Sequence, residues 1–142
     1  MSTPWAAVGF VCVQALTYER RRRLFADAES VIANRYREPL TVTEVAGALA
    51  VSVRQLQRVY AEVASISFSE RLAAARLAAA AELLAEQSIG VAEIARIVGY
   101  RHRGAFAAAF LRHYGLGPAG FRRAARAARA SRQLGTPRSS GR

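Results

Sequence analysis

The sequence predicts an all-α chain of seven helices, and three observations carry that prediction. Of its 142 residues, 31 are alanine and 21 are arginine, a mix that with leucine and glutamate favours helix over strand. No stretch alternates apolar and polar residues as a half-buried strand does. The pattern Ser/Thr-x-x-Glu/Gln occurs three times ahead of apolar runs, and it marks helix starts by satisfying orphan amides on both sides.

The elements follow in order. Leu24, Ala28, Val31, Ile32 and Tyr36 fall at helical spacing, and Pro39 closes that segment. Thr41 stands three residues before Glu44, opening a short helix whose apolar face is Val42, Val45, Ala46 and Leu49. Ser52 and Gln55 repeat the signal, and Leu56, Val59, Tyr60 and Val63 point inward from a helix over about 52–63. Ser67 and Glu70 repeat it again before a long helix reaching about Gln87. Phe68, Leu72, Ala75, Ala79 and Leu83 are expected to form its core stripe, with Leu77 and Leu84 beside it. After Gly90 come Val91, Ile94, Ala95 and Val98, then a turn at Gly99-Tyr100. A helix over about 102–114 carries Phe106, Phe110 and Tyr114 and ends at Gly115. Gly117-Pro118 starts the last helix, since proline at a first helical position loses no needed amide bond. Phe121 anchors it, and Arg122, Arg123, Arg126 and Arg129 are expected on its surface.

Composition divides the chain into an N-terminal extension (1–23), a densely patterned region (24–130) and a Ser/Gly/Pro-rich tail (131–142) expected to be disordered and basic. The apolar run Trp5 to Leu16 is too short to span a membrane. Its arginines, Arg20 to Arg23, follow rather than precede it, the wrong order for a signal peptide. A cytoplasmic protein without membrane attachment is expected.

The formal net charge is +11, every basic residue is arginine, and lysine is absent. Such an excess makes a polyanion the default partner, nucleic acid first. Catalytic and metal chemistry find little material. The chain has one aspartate, Asp27, one cysteine, Cys12, and two histidines, His102 and His113. These supply neither a disulfide pair nor a zinc cluster, and no Gly-rich phosphate loop is present. Cys12, in an apolar run, reads as a buried or partly buried thiol. The two histidines read as surface or capping residues. No catalytic residue, cofactor or metal is expected.

Two stretches match each other. Thr41 to Ser52 overlays Gly90 to Arg101, placing Glu44 on Glu93 and Ala46 on Ala95. One extra residue in the second turn then brings Leu56 onto Phe106 and Tyr60 onto Phe110. A short helix, a tight turn and a second amphipathic helix form a helix-turn-helix unit. The chain therefore carries two. The stretch from Ser67 to Glu86 is 20 residues, roughly 30 Å of helix at ~1.5 Å per residue. Successive major grooves on one face of DNA are about 34 Å apart, so two recognition helices in adjacent grooves is the expected arrangement.

From about Leu24 to Arg123 the chain resembles the DNA-binding domain of the AraC/XylS transcription regulators. The resemblance lies in Leu40-Thr-Val-Thr-Glu-Val-Ala, Ser52-Val-Arg-Gln-Leu-Gln-Arg-Val-Tyr and Ser67-Phe-Ser-Glu-Arg-Leu. It continues through Arg76-Leu-Ala-Ala-Ala-Ala-Glu-Leu-Leu, Glu93-Ile-Ala-Arg-Ile-Val-Gly-Tyr, Phe106, Phe110, Gly115, Pro118 and Phe121-Arg122. It implies two helix-turn-helix subdomains joined by a long linker helix, each placing a recognition helix in the major groove. The family's base- and phosphate-facing positions in the first unit fall on Arg54, Gln57 and Arg58, and Ser52 at the start of that helix is a further DNA-binding candidate. Their chemistry suits the task independently: arginine pairs with guanine O6/N7 and glutamine with adenine N6/N7.

The second unit departs from the family pattern. His102 stands where a serine or aspartate cap is usual, and Ala107 and Ala108 stand where polar side chains face DNA. Arg101, His102, Arg103 and Arg112 remain nearby as phosphate-binding candidates. The resulting expectation is a sequence-specific transcription regulator, activator or repressor, with double-stranded DNA as partner. RNA polymerase is a further candidate partner, and a monomer or weak homodimer is the expected state. A nonspecific nucleic-acid binder and a protein-interaction fragment of a longer regulator remain alternatives at this level.

Overall fold

The structure, a computed structural model, describes residues 4–135 of the chain, with side chains from Thr17 onward. The side chain of Cys12 and the arginines of the last residues lie outside that range. Seven α-helices follow one another: α1 (Pro4–Arg35), α2 (Val42–Ala48), α3 (Val53–Ala64), α4 (Phe68–Glu86), α5 (Val91–Ile97), α6 (Arg103–Tyr114) and α7 (Pro118–Leu134). Among the described residues there is no strand. None of these helices is long and apolar enough to cross a membrane.

The chain divides into two compact units, Met1–Leu72 and Ala73–Arg142. In the first unit α1 and α2 both pack on α3. Its core comprises Ala28, Ile32, Leu40, Val45, Ala46, Leu56, Val59, Tyr60, Phe68 and Leu72. Tyr60 is its centre: wholly buried, with its ring edge-on to Phe25 at 5.1 Å and Phe68 at 5.6 Å. Its hydroxyl donates to Glu29 Oε1 at 3.0 Å, and Arg71 donates to the other carboxylate oxygen at 2.7 Å. One carboxylate thereby ties α1 to both α3 and α4.

The second unit is built on the same plan with different side chains. Leu77, Ala80 and Leu84 from α4, Ile94 and Ala95 from α5, Val98, and Phe106 and Phe110 from α6 are buried. An aromatic chain runs from Tyr100 through Phe106 and Phe110 to Phe121, with consecutive centroids 5.4, 5.7 and 5.2 Å apart.

The internal repeat extends to the backbone. Ala50 and Gly99 take left-handed conformations in the two turns (φ 55° and 101°), as do Ser65 and Gly115 after α3 and α6 (φ 56° and 75°). Val51 N–H donates to Ala46 O at 3.0 Å, and Tyr100 N–H donates to Ala95 O at 2.9 Å. Such a turn favours glycine at the left-handed position, because a Cβ there crowds the backbone. The second unit satisfies that preference and the first, with Ala50, does not.

Helix starts separate the units more sharply. The side chains of Thr41, Ser52 and Ser67 each accept from the N–H three residues on, and their own backbone N–H groups each donate back to the side-chain oxygen of Glu44, Gln55 or Glu70, at 2.8 to 3.2 Å. The corresponding starts in the second unit are Gly90, His102 and Gly117, none with a side-chain cap bond.

Four expectations need correction. The core stripe of α4 does not continue through Ala75, Ala79 and Leu83, which are only half-buried. After Phe68 and Leu72 the buried set shifts to Leu77, Ala80 and Leu84, because one helix serves two separate cores. The helix carrying Leu24, Ala28 and Ile32 does not start near Leu24 but runs from Pro4 to Arg35. α7 continues to Leu134, so residues 131–134 are helical, carried by the alanine- and arginine-rich run before them. Finally, Arg122 is not a surface decoration. Its guanidinium donates to Leu84 O at 3.3 Å and to Ile89 O, capping carbonyls at and beyond the end of α4. A charged donor on a part-buried carbonyl contributes about 1.5 kcal/mol. Arg122→Ala should therefore lower stability by about that much in urea unfolding, with Arg123→Ala, exposed one residue on, within ~0.5 kcal/mol of the parent.

Candidate nucleic-acid interface

On α3 the residues facing away from Leu56, Val59 and Tyr60 include Arg54, Gln57, Arg58 and Ala61, all exposed. Spacings of three and four put them on one side of the helix. Ser52, at the start, is also exposed, but its hydroxyl accepts from Gln55 N–H at 3.1 Å, so its first task is capping. Arg54 has no ion pair or hydrogen bond among the described residues. Gln57 stands at the rim of a cleft lined by Val42, Ala61, Ile66 and Phe68. Arg58 Nε lies 3.7 Å from Glu62 Oε1, and Glu62 is engaged more closely by Arg21 of α1, at 2.8 Å.

That last contact brings in residues of α1 that the sequence does not mark as part of this surface. Arg20, Arg21 and Leu24 of α1 share a groove with Gln55, Arg58 and Val59 of α3. The arginine run of α1 therefore borders the exposed face of α3. No local spacing rule could announce this, because the contact crosses about forty residues.

α6 offers a different surface. Arg101, His102 and Arg103 are exposed together at its start, and His102 occupies the cap position with an extended backbone (φ −126°). Arg112 is exposed near the other end, and His113 packs edge-on against Tyr114 at 4.7 Å. Ala107 is half-buried and Ala108 exposed. Carrying the register of Leu56 on Phe106 and Tyr60 on Phe110 along both helices sets Gly104 in the place of Arg54. Ala107 then takes the place of Gln57, Ala108 of Arg58 and Leu111 of Ala61. Tyr100, behind this surface, sits under the Arg76 guanidinium at 5.9 Å. Burial pushes the Tyr100 phenol up, while Arg76 and Arg112 pull the other way. Among the described residues no group of three or more His, Cys, Asp or Glu is placed to hold a metal ion.

Two units, each a short helix, a tight turn and a second helix with an exposed outer face, define a double helix-turn-helix DNA-binding domain. A model of the family described as "Helix-turn-helix domain" matches residues 45–124. Among solved structures, the C-terminal domain of AraT, a response regulator from Geobacillus stearothermophilus, is 33% identical, covering 71% of this chain and 84% of that one with a TM-score of 0.69. The DNA-binding domain of AdpA, a global transcriptional factor solved with a target DNA, is 27% identical, covering 74% and 95% with a TM-score of 0.70. An AraC-type regulator from Chromobacterium violaceum, 24% identical, shares the fold over 73% of this chain and 93% of its own, with a TM-score of 0.71. A search of curated proteins returns no match. The chain belongs to the AraC-type helix-turn-helix family of DNA-binding transcription regulators.

Proposed function

We propose that this chain is a sequence-specific regulator in which α3 enters a major groove and reads bases, while α6 enters a groove and holds mainly to the phosphates. The observation that carries this reading is the contrast between the outer faces of two helices built on one backbone plan. Arg54, Gln57 and Arg58 supply bidentate donors, and in Gln57 an acceptor, suited to purine edges. Their counterparts Gly104, Ala107 and Ala108 supply none, and Arg101, Arg103 and Arg112 surround them. The likeness to the AdpA domain, solved with its DNA target, supports double-stranded DNA as the partner.

The test is selection of bound duplexes from a random pool, followed by titration of the winner against scrambled DNA across salt. A motif preferred by roughly 10³-fold or more supports specific regulation. Failure to enrich any motif, with binding that collapses as salt rises, would overturn it in favour of charge-driven binding. Arg103→Ala should weaken selected and scrambled duplexes alike and reduce the slope of log K against log salt by about one, as loss of a phosphate contact does. A loss confined to the selected duplex would show instead that Arg103 touches a base.

A further inference from the structure

The outer face of α6 is apolar from Gly104 to Leu111. Gly104, Ala105, Ala108 and Leu111 are all exposed, and Leu111 keeps 51% of its surface open to solvent. None of this is demanded by the interior of the second unit. A Cβ added at Gly104 would meet nothing within 4 Å, so packing does not require glycine there. The core side of the helix is already filled by Phe106 and Phe110. Arginines frame the strip: Arg101 and Arg103 at one end and Arg112 near the other.

We propose that this strip selects thymine by contact with its C5-methyl group. The proposal rests on the reading of α6 as a groove-entering helix and adds what it recognises there. The thymine methyl is the one apolar group that unmodified base pairs present in the major groove. Small residues at 104, 105 and 108 let the helix backbone approach the base edges closely, and Leu111 extends a methyl-sized surface beside them. Cytosine at the same position offers no methyl at C5, so the alanine and leucine surface loses its apolar contact there. The flanking arginines suit phosphates on either side of the groove. That frame of cations, and the shared register with α3, favour DNA over an apolar protein surface as the occupant.

The experiment uses the full chain and the duplex selected above. The block read by α3 is the one whose preference relaxes in Arg58→Ala; the other belongs to α6. Deoxyuridine is then placed for each thymidine in turn, removing only the methyl group. In the α6 block each contacted methyl should cost about four-fold in affinity, the worth of one buried methyl group. Cytosine at such a position should bind poorly and 5-methylcytosine should recover part of the loss. Leu111→Ala, at an exposed site that leaves the melting temperature unchanged, should abolish the response to deoxyuridine at the position Leu111 covers. A selected motif whose second block lacks thymine, or binds deoxyuridine equally well, overturns this proposal and leaves the DNA reading standing. Sensitivity that persists unchanged in Leu111→Ala at every position also overturns it. No enriched motif at all overturns both.

Discussion

Tyr60→Ala is expected to cost about 3–5 kcal/mol, the range for emptying a buried aromatic site, and to unfold the first unit at moderate temperature. The ring is fully buried between Phe25 and Phe68, and its hydroxyl bonds the carboxylate that joins α1 to α3 and α4. Tyr60→Phe keeps the ring and removes only that bond, so it should cost about 1.5 kcal/mol; Arg71 still holds Glu29. Urea unfolding of the two variants separates packing from hydrogen bonding, and equal losses would show that the hydroxyl carries the whole effect.

The same residue gives the protein an alkaline limit. Burial, and then the Glu29 carboxylate, push the Tyr60 phenol well above its ordinary value of 10.0. Tyr100 and Tyr114 are raised too, chiefly by burial. A raised phenol binds its proton more tightly folded than unfolded, so its contribution is complete below pH 10 and is lost as pH climbs above it. Stability should fall above about pH 10, by up to ~1.4 kcal/mol per pH unit for each such group. Tyr60→Phe should make that fall shallower, and an unchanged pH profile would assign the limit elsewhere.

Arg58→Ala should weaken binding to the selected duplex by about 10- to 100-fold, the worth of one bidentate arginine–guanine contact, and scrambled DNA far less. The interaction with Glu62 does not stand in the way. At 3.7 Å, with the arginine side chain 66% exposed, such an i,i+4 pair is worth about 0.3–0.5 kcal/mol, well below the worth of the proposed base contact. Glu62 also keeps its closer partner, Arg21, when Arg58 leaves it. Arg58→Lys should fail to restore affinity, since a lysine cannot reproduce the planar fork. Binding isotherms on both duplexes check this, and a sequence-blind loss would reduce Arg58 to a phosphate contact.

Much of this fold was legible because the helix starts are written in short-range chemistry. Thr41-x-x-Glu44, Ser52-x-x-Gln55 and Ser67-x-x-Glu70 all form reciprocal caps. The repeat predicted which side chains share a role, and Ala46 with Ala95, Leu56 with Phe106 and Tyr60 with Phe110 are buried in matching places. Contacts between distant residues were not legible. Glu29 has nothing local to announce that it serves Tyr60 and Arg71, and Arg122 looks like its exposed neighbours until α4 ends beneath it. The stripe of α4 misled for a related reason: alanine fits either face, so periodicity alone could not reveal a change of core at Leu77. The charged face of α3 was readable from residue type, whereas Arg21 beside it required the packed helices.

The unequal caps have a dynamic consequence. Glycine at a cap costs only a few tenths of a kcal/mol, so Gly90 and Gly117 lose little. His102 without a cap bond leaves the start of α6 about 1 kcal/mol easier to open than a serine-capped one, which is about five-fold faster amide hydrogen exchange at its first turn. The opening turn of α6 should therefore exchange ahead of that of α3, its counterpart capped by Ser52, in the free protein. DNA that engages α6 should hold that turn closed as it binds. Protection gained at the first turn on the duplex should consequently be greater for α6 than for α3.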